Sequence, residues 1–186
     1  MTGSRPRDKR GGMEQIVTYL TAEQIAERVK ALGAEIQRDY EGKRPVLVVV
    51  LKGSFVFASD LIRAIDLHSL RVDFLAVRSY GEGTESSGVV QIVNDLSKPI
   101  EGEDVLLVED IVDTGLTINY LLDLLQTRKP KSLKVCSLLH KPARSKVAVP
   151  IDYLGFTIED RFVIGYGLDF AEKYRGLPYL GVLQRA

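Results

Sequence analysis

The stretch VLLVEDIVDTGLTINYLL, residues 105–122, decides how this chain is read. Four apolar residues, Val105 to Val108, run into two adjacent acids, Glu109 and Asp110. Ile111 and Val112 separate these from a third acid, Asp113. Thr114, Gly115 and Thr117 follow, then an apolar-rich segment ending Tyr120-Leu121-Leu122. The order predicts a buried strand, an acidic turn, a small-residue loop and a helix. At a strand-to-helix turn, unpaired backbone N–H groups and the positive end of the helix dipole converge on one point, which suits an anion. Gly115 permits close backbone approach, and Thr114 and Thr117 add hydroxyl donors. The acids beside the loop cannot hold a phosphate; they can bind hydroxyl groups, a metal or a proton. A phosphate cradle next to carboxylates suggests a phosphorylated sugar. The same Asp and Thr residues would also serve as plain helix caps. Neither G-x-x-x-x-G-K-[ST] nor G-x-G-x-x-G occurs in the chain, so the two commonest nucleotide loops are absent.

Working outward, the chain repeats the strand-turn-helix pattern. Val46 to Leu51 is an unbroken apolar run with four valines, suited to a strand covered on both faces of a parallel sheet. Lys52-Gly53-Ser54 ends it, and Phe55 to Ile65 reads as a helix. Before it, Thr21 and Gln24 form a capping-box signature, and Ile25, Val29, Leu32 and Ile36 make a helical stripe that Gly42 and Pro45 terminate. Leu70 to Tyr80, Val89 to Val93 and Leu133 to Leu139 read as further strands. The polar, glycine-bearing segment 81–88 is either a hairpin loop or a lid. Lys52 and Lys141 each close an apolar run. Each reads as a solvated strand-end charge or as a ligand contact at the carboxyl edge of the sheet, where α/β proteins place their sites. Strands alternating with helices predict an α/β fold.

Size and composition narrow the classes. At 186 residues, 45% hydrophobic and 27% charged, the chain suits one soluble domain with a real core. Formal net charge is zero, so no global field recruits nucleic acid or an anionic membrane. No apolar run approaches the ~20 residues of a membrane span. Cys136 is the only cysteine, which excludes a disulfide within the chain and fits a reducing cytoplasm. It lies in an apolar run and reads as a structural thiol. His68 and His140 are too few for a His-based metal site. Residues 1–12 carry Arg5, Arg7, Lys9 and Arg10 without an apolar segment behind them, which predicts a disordered basic tail rather than a secretory signal, with residues 13–186 as a single domain.

The acids, apolar pair and Asp-Thr-Gly-x-Thr of residues 105–117 resemble the phosphoribosyl-pyrophosphate (PRPP) loop of the type I phosphoribosyltransferases. Further matches are similar to the hypoxanthine branch of that family and extend over residues 46–183. Leu51-Lys52-Gly53 looks like its pyrophosphate-contacting loop, whose first peptide is often cis. Ser79-Tyr80 looks like the start of its lid. Lys141 stands where a lysine donates to the exocyclic oxygen of a 6-oxopurine. Residues 162–169, FVIGYGLD, resemble its base- and metal-binding end. The resemblance implies a central, mainly parallel twisted sheet flanked by helices, with a small hood built from the terminal segments.

The same resemblance implies that the chain would transfer 5-phosphoribosyl from PRPP to N9 of hypoxanthine in purine salvage, with Mg²⁺ as cofactor. The loop Asp113, Thr114, Gly115, Leu116, Thr117 would anchor the 5′-phosphate. Leu116 replaces the lysine or small residue common in relatives; its backbone would still bind. Glu109 and Asp110 would face the ribose hydroxyls or the metal, and Asp169 would help hold the metal. Lys52, Gly53 and Arg175 would serve pyrophosphate. Phe162 would stack on the purine, Val163 would offer backbone groups to its edge, and Asp113 would act as general base near N7. No residue reads the purine 2-amino group, so guanine stays open. Two rivals follow: a transferase for xanthine, adenine or a pyrimidine, which Lys141 and Phe162 disfavour in the case of adenine, and a PRPP-sensing regulator that binds nucleic acid. The latter needs a basic face that a neutral chain lacks. The family implies a homodimer or homotetramer without nucleic-acid or membrane partners.

Overall fold

The computed structural model describes residues 14–80 and 89–185. Six strands form the main sheet: β2 (Val46–Leu51), β3 (Arg71–Tyr80), β4 (Val89–Asn94), β5 (Asp104–Val112), β6 (Ser132–His140) and β7 (Tyr153–Thr157). Their spatial order is β4-β3-β2-β5-β6-β7. Only the β3–β4 pair is antiparallel; the others run parallel. The centre of the sheet is therefore β2 and β5, the two apolar runs of the sequence.

Alternation along those strands divides the core in two. Leu47, Val49, Leu106 and Val108 face α1 (Ala22–Asp39) and α2 (Phe55–Ala64). Val46, Val48, Val50, Val105 and Leu107 face α3 (Leu116–Thr127). Each of these strand residues is fully buried, and burying one such side chain is worth about 1.5–3 kcal/mol. Cys136 is buried in the first cluster, and burial pushes its thiol far up, as a structural thiol requires. The capping box forms as expected: Thr21 Oγ1 accepts from Gln24 N, and Gln24 Oε1 accepts from Thr21 N.

A second sheet makes the hood. Its order is β1 (Glu14–Leu20), β9 (Leu180–Arg185), β8 (Val163–Ile164), all antiparallel. Ile16 pairs with Leu183 and Val163 with Val182, so the first and last described segments close over one end of the main sheet. Tyr166 Oη donates to Asp60 Oδ2 at 2.6 Å, fastening the hood to α2.

One expectation needs correction. Glu109 and Asp110 are not in a turn. Strand β5 continues to Val112 because its partner β6 runs beside it that far, pairing Glu109 with Ser137 and Val112 with His140. The turn begins at Asp113. Residues 1–12 and the segment 81–88 lie outside the described residues.

Candidate active site

The loop Asp113–Gly115 occupies the gap between β5 and α3. Gly115 caps α3 at φ 81°, a left-handed conformation that favours glycine. A Cβ there would also run into the Val147 carbonyl. The segment bearing Val147 is held in place by Lys146 N and Val147 N, which donate to the Thr114 carbonyl at 2.9 and 3.2 Å. Thr114 Oγ1 accepts from Leu116 N at 3.4 Å. Asp113, Thr114, Gly115 and Thr117, with Glu109 beneath them, line a recess of about 70 Å³. Leu116 does not line it.

Because Glu109 and Asp110 are consecutive in a strand, they face opposite sides of the sheet. Glu109 turns toward the recess beside the Asp113–Thr117 loop. It is only 8% exposed, and its Oε2 is buried without a hydrogen-bond partner. Burial, then the neighbouring Asp110 charge, raises its carboxyl well above the usual carboxylate range. Asp110 turns toward the hood, where its Oδ1 accepts from Ile111 N at 2.9 Å. Burial pushes its carboxyl up to about 6. Burial thus disfavours the charged form of both carboxyls.

The loop after β2 meets Asp110 directly. Gly53 packs against the Asp110 carboxylate, and Gly167, at φ 102°, packs against the Gly53 carbonyl. The Leu51–Lys52 peptide is cis, a point the sequence left open. Around it runs a chain of charges. Arg175 Nη1 donates to the Gly167 carbonyl at 2.8 Å, and Nη2 pairs with Asp169 Oδ1 at 2.8 Å. Glu172 N donates to Asp169 Oδ2 at 2.8 Å, and Lys52 Nζ reaches Glu172 Oε2 at 3.3 Å.

Between hood and main sheet lies a cavity of about 440 Å³. Six of the residues singled out in the sequence line it: Asp110, Asp113, Lys141, Phe162, Val163 and Asp169. Lys141 is only 6% exposed and its N–H donates to the Val112 carbonyl at 2.9 Å, which fixes it at the end of β6. Phe162 is 52% exposed and touches Phe170 edge-on, ring centres 5.7 Å apart, leaving a ring face for a flat partner. Ile111, Leu168 and Arg144 also line the cavity and were missed in the sequence. The first two are ordinary apolar residues without a distinguishing signal. Arg144 Nε lies 3.1 Å from Asp113 Oδ1; its only signal was its place three residues past Lys141. Ser79 and Tyr80 end β3, and their side chains lie outside what is described.

Chemically, the arrangement offers a stacking surface, a buried ammonium donor, a carboxylate between the cavity and the phosphate recess, and cations on the far side. Among the described residues no three His, Cys, Asp or Glu groups gather closely enough to hold a metal. The unpartnered Glu109 oxygen, Asp110 and Asp169 are nevertheless oxygen donors of the type Mg²⁺ prefers, and that ion usually takes few protein ligands and keeps its waters.

The model of the phosphoribosyl transferase domain family matches residues 16–171. The chain is 49% identical over 165 residues to the bifunctional protein TilS/HprT of Listeria innocua; this match spans 89% of the chain but 25% of that protein's length. It is 48% identical over 167 residues to the hypoxanthine-guanine phosphoribosyltransferase of Bacillus subtilis, covering 90% of this chain and 92% of that one. The crystal structure of a hypoxanthine-guanine phosphoribosyltransferase from Bacillus anthracis, with a HEPES molecule in its active site, superimposes with a TM-score of 0.87 at 47% identity, over 91% of this chain and all of that one. With the type I fold and the motif-bearing cavity in place, these matches establish that the chain belongs to the hypoxanthine-guanine phosphoribosyltransferase family.

Proposed function

We propose that this chain transfers the 5-phosphoribosyl group of PRPP to N9 of hypoxanthine, and of guanine, releasing pyrophosphate and the nucleoside 5′-monophosphate. One observation carries the reading: Asp113 lines both the phosphate recess and the larger cavity that holds Phe162 and Lys141. A donor held by its 5′-phosphate in the first would present its sugar to a base stacked in the second.

The residues then divide the work. Backbone N–H groups and hydroxyls from Asp113 to Thr117 anchor the 5′-phosphate at the N-terminus of α3. Glu109 and Asp110 accept from the ribose hydroxyls or from metal-bound water. Lys52, Gly53 and Arg175 receive pyrophosphate, and Arg175 exchanges its pairing with Asp169 for the incoming charge. Asp169, with Glu109 and Asp110 through water, would hold Mg²⁺, which supplies neutralising charge for the leaving pyrophosphate. Phe162 stacks on the purine, the Val163 backbone meets its edge, and Lys141 donates to its exocyclic oxygen. Asp113 accepts the proton near N7 as N9 attacks.

We assign residues 13–186 to one domain, which the family match and the hood's pairing of both chain ends support. We assign the protein to the cytoplasm as a homodimer or homotetramer. Support comes from the lone buried cysteine, and from exposed Phe74 and Val93 near the outer edge of the main sheet. Incubating the protein with PRPP, Mg²⁺ and hypoxanthine should yield a base-linked 5′-monophosphate detectable by mass; its absence overturns the reading.

A further inference from the structure

Arg144 has no part in the roles assigned above, yet it stands inside the base cavity. It ends the short 3₁₀ turn Pro142–Arg144 that follows Lys141. Its Nε is 3.1 Å from Asp113 Oδ1, and its Nη1 is 3.8 Å from Asp160 Oδ1. The three side chains come from three separate places. Asp113 opens the phosphate loop, Arg144 follows the lysine-bearing strand, and Asp160 lies two residues before Phe162.

The Asp113 end of this bridge is half-buried, with each side chain 34% exposed, whereas Asp160 is 54% exposed. Asp113 Oδ1 is a buried atom without a hydrogen-bond partner, so the Arg144 guanidinium is what compensates its charge. A carboxylate has two oxygens. With Arg144 Nε beside Oδ1, Oδ2 is the oxygen left for the purine. A carboxylate free to rotate about its Cβ–Cγ bond would share its time among orientations, and small errors of placement cost transfer steps dearly. Lysine would supply charge but not the fixed planar geometry of a guanidinium that spans two acids.

We infer that Arg144 is a positioning residue for the transfer, fixing the Asp113 carboxylate by one oxygen and coupling it, through Asp160, to the loop that carries the purine-stacking Phe162. The inference rests on the reading of Asp113 as the group that takes the purine proton. Arg144 itself touches neither PRPP nor the base in this role; it acts through Asp113.

The test is a double-mutant cycle with R144Q, D113N and the pair, measuring kcat, the KM for hypoxanthine and direct PRPP binding. R144Q should lower kcat by about 10–100-fold while PRPP binding, which reports an intact fold and phosphate recess, stays within about twofold of wild type. In the D113N background the same change should cost little more, because the group it positions is already disabled. R144K should recover part of the loss. Wild-type turnover in R144Q overturns the inference, as does a loss that multiplies with that of D113N or one matched by an equal loss of PRPP binding. If D113N itself keeps wild-type turnover, the proton-transfer reading of Asp113 fails first. That outcome is distinct from a defective D113N beside a fully active R144Q.

Discussion

Gly53 and Asp110 occupy contiguous space: a Cβ on Gly53 would overlap the Asp110 carboxylate. The glycine is therefore required by the acid beside it rather than by its own backbone angles. It lets the loop after β2 close onto the strand that carries Glu109 and Asp110, and Gly167 closes onto its carbonyl from the hood. Gly53→Ala should push the loop and the Asp110 side chain apart. Turnover should fall by about 100-fold, since displacements near 1 Å have that effect, with weaker pyrophosphate inhibition. Steady-state kinetics and pyrophosphate inhibition check it; unchanged values would show that the loop does not need this contact.

Asp110 makes stability depend on pH with a definite sign. Burial disfavours its charge and pushes its folded carboxyl up to about 6, above the 3.8 of an ordinary aspartate. Between those values the native state binds more protons than the unfolded state, so stability falls as pH rises from 4 through 6. Glu109 acts in the same direction. Ligand-free protein should therefore lose thermal stability from pH 5 to pH 7.5. Asp110→Asn should flatten that slope and raise the melting temperature at pH 7.5. Melting curves across this range measure it, and an Asp110→Asn slope equal to wild type contradicts the assignment.

Much of this geometry was legible beforehand, for identifiable reasons. The all-apolar runs at Val46–Leu51 and Val105–Val108 suited strands buried on both faces, and they form the sheet's centre. The small-residue loop through Thr117 needed a particular backbone, and Gly115 adopts it. The place where β5 ends was not legible. It depends on how far β6 accompanies it, and that pairing joins residues nearly thirty apart, such as Glu109 and Ser137. The hood's pairing of Ile16 with Leu183 is more distant still. Arg144 was invisible for the same reason: its meaning lies in a contact with Asp113, across a strand and a turn.

Removing the proton acceptor should leave the donor site standing. Asp113→Asn keeps the loop's backbone and its size but cannot take a proton. Turnover should drop by about 10²–10⁴-fold, the usual worth of general acid–base help, with PRPP binding mostly intact. Comparing kcat with direct PRPP binding separates the two. Wild-type turnover would remove Asp113 from the chemistry.

Lys141 is buried at the strand end with its ammonium available to the cavity. A donor of that kind favours an oxo group over an amino group. Lys141→Ala should raise the KM for hypoxanthine and guanine by about 10–100-fold, one lost hydrogen bond from a charged group being worth about 1.5–3 kcal/mol, and leave PRPP binding unaltered. An equal loss for every base tested would place Lys141 elsewhere in the mechanism.

The most direct measurement is the initial rate of pyrophosphate release with PRPP and Mg²⁺ against hypoxanthine, guanine, xanthine and adenine in parallel. The proposed stacking of a purine on Phe162, with the Lys141 ammonium donating to its edge, predicts rapid release with hypoxanthine and guanine and negligible release with adenine. Preference for adenine, or release that is independent of any base, would contradict it.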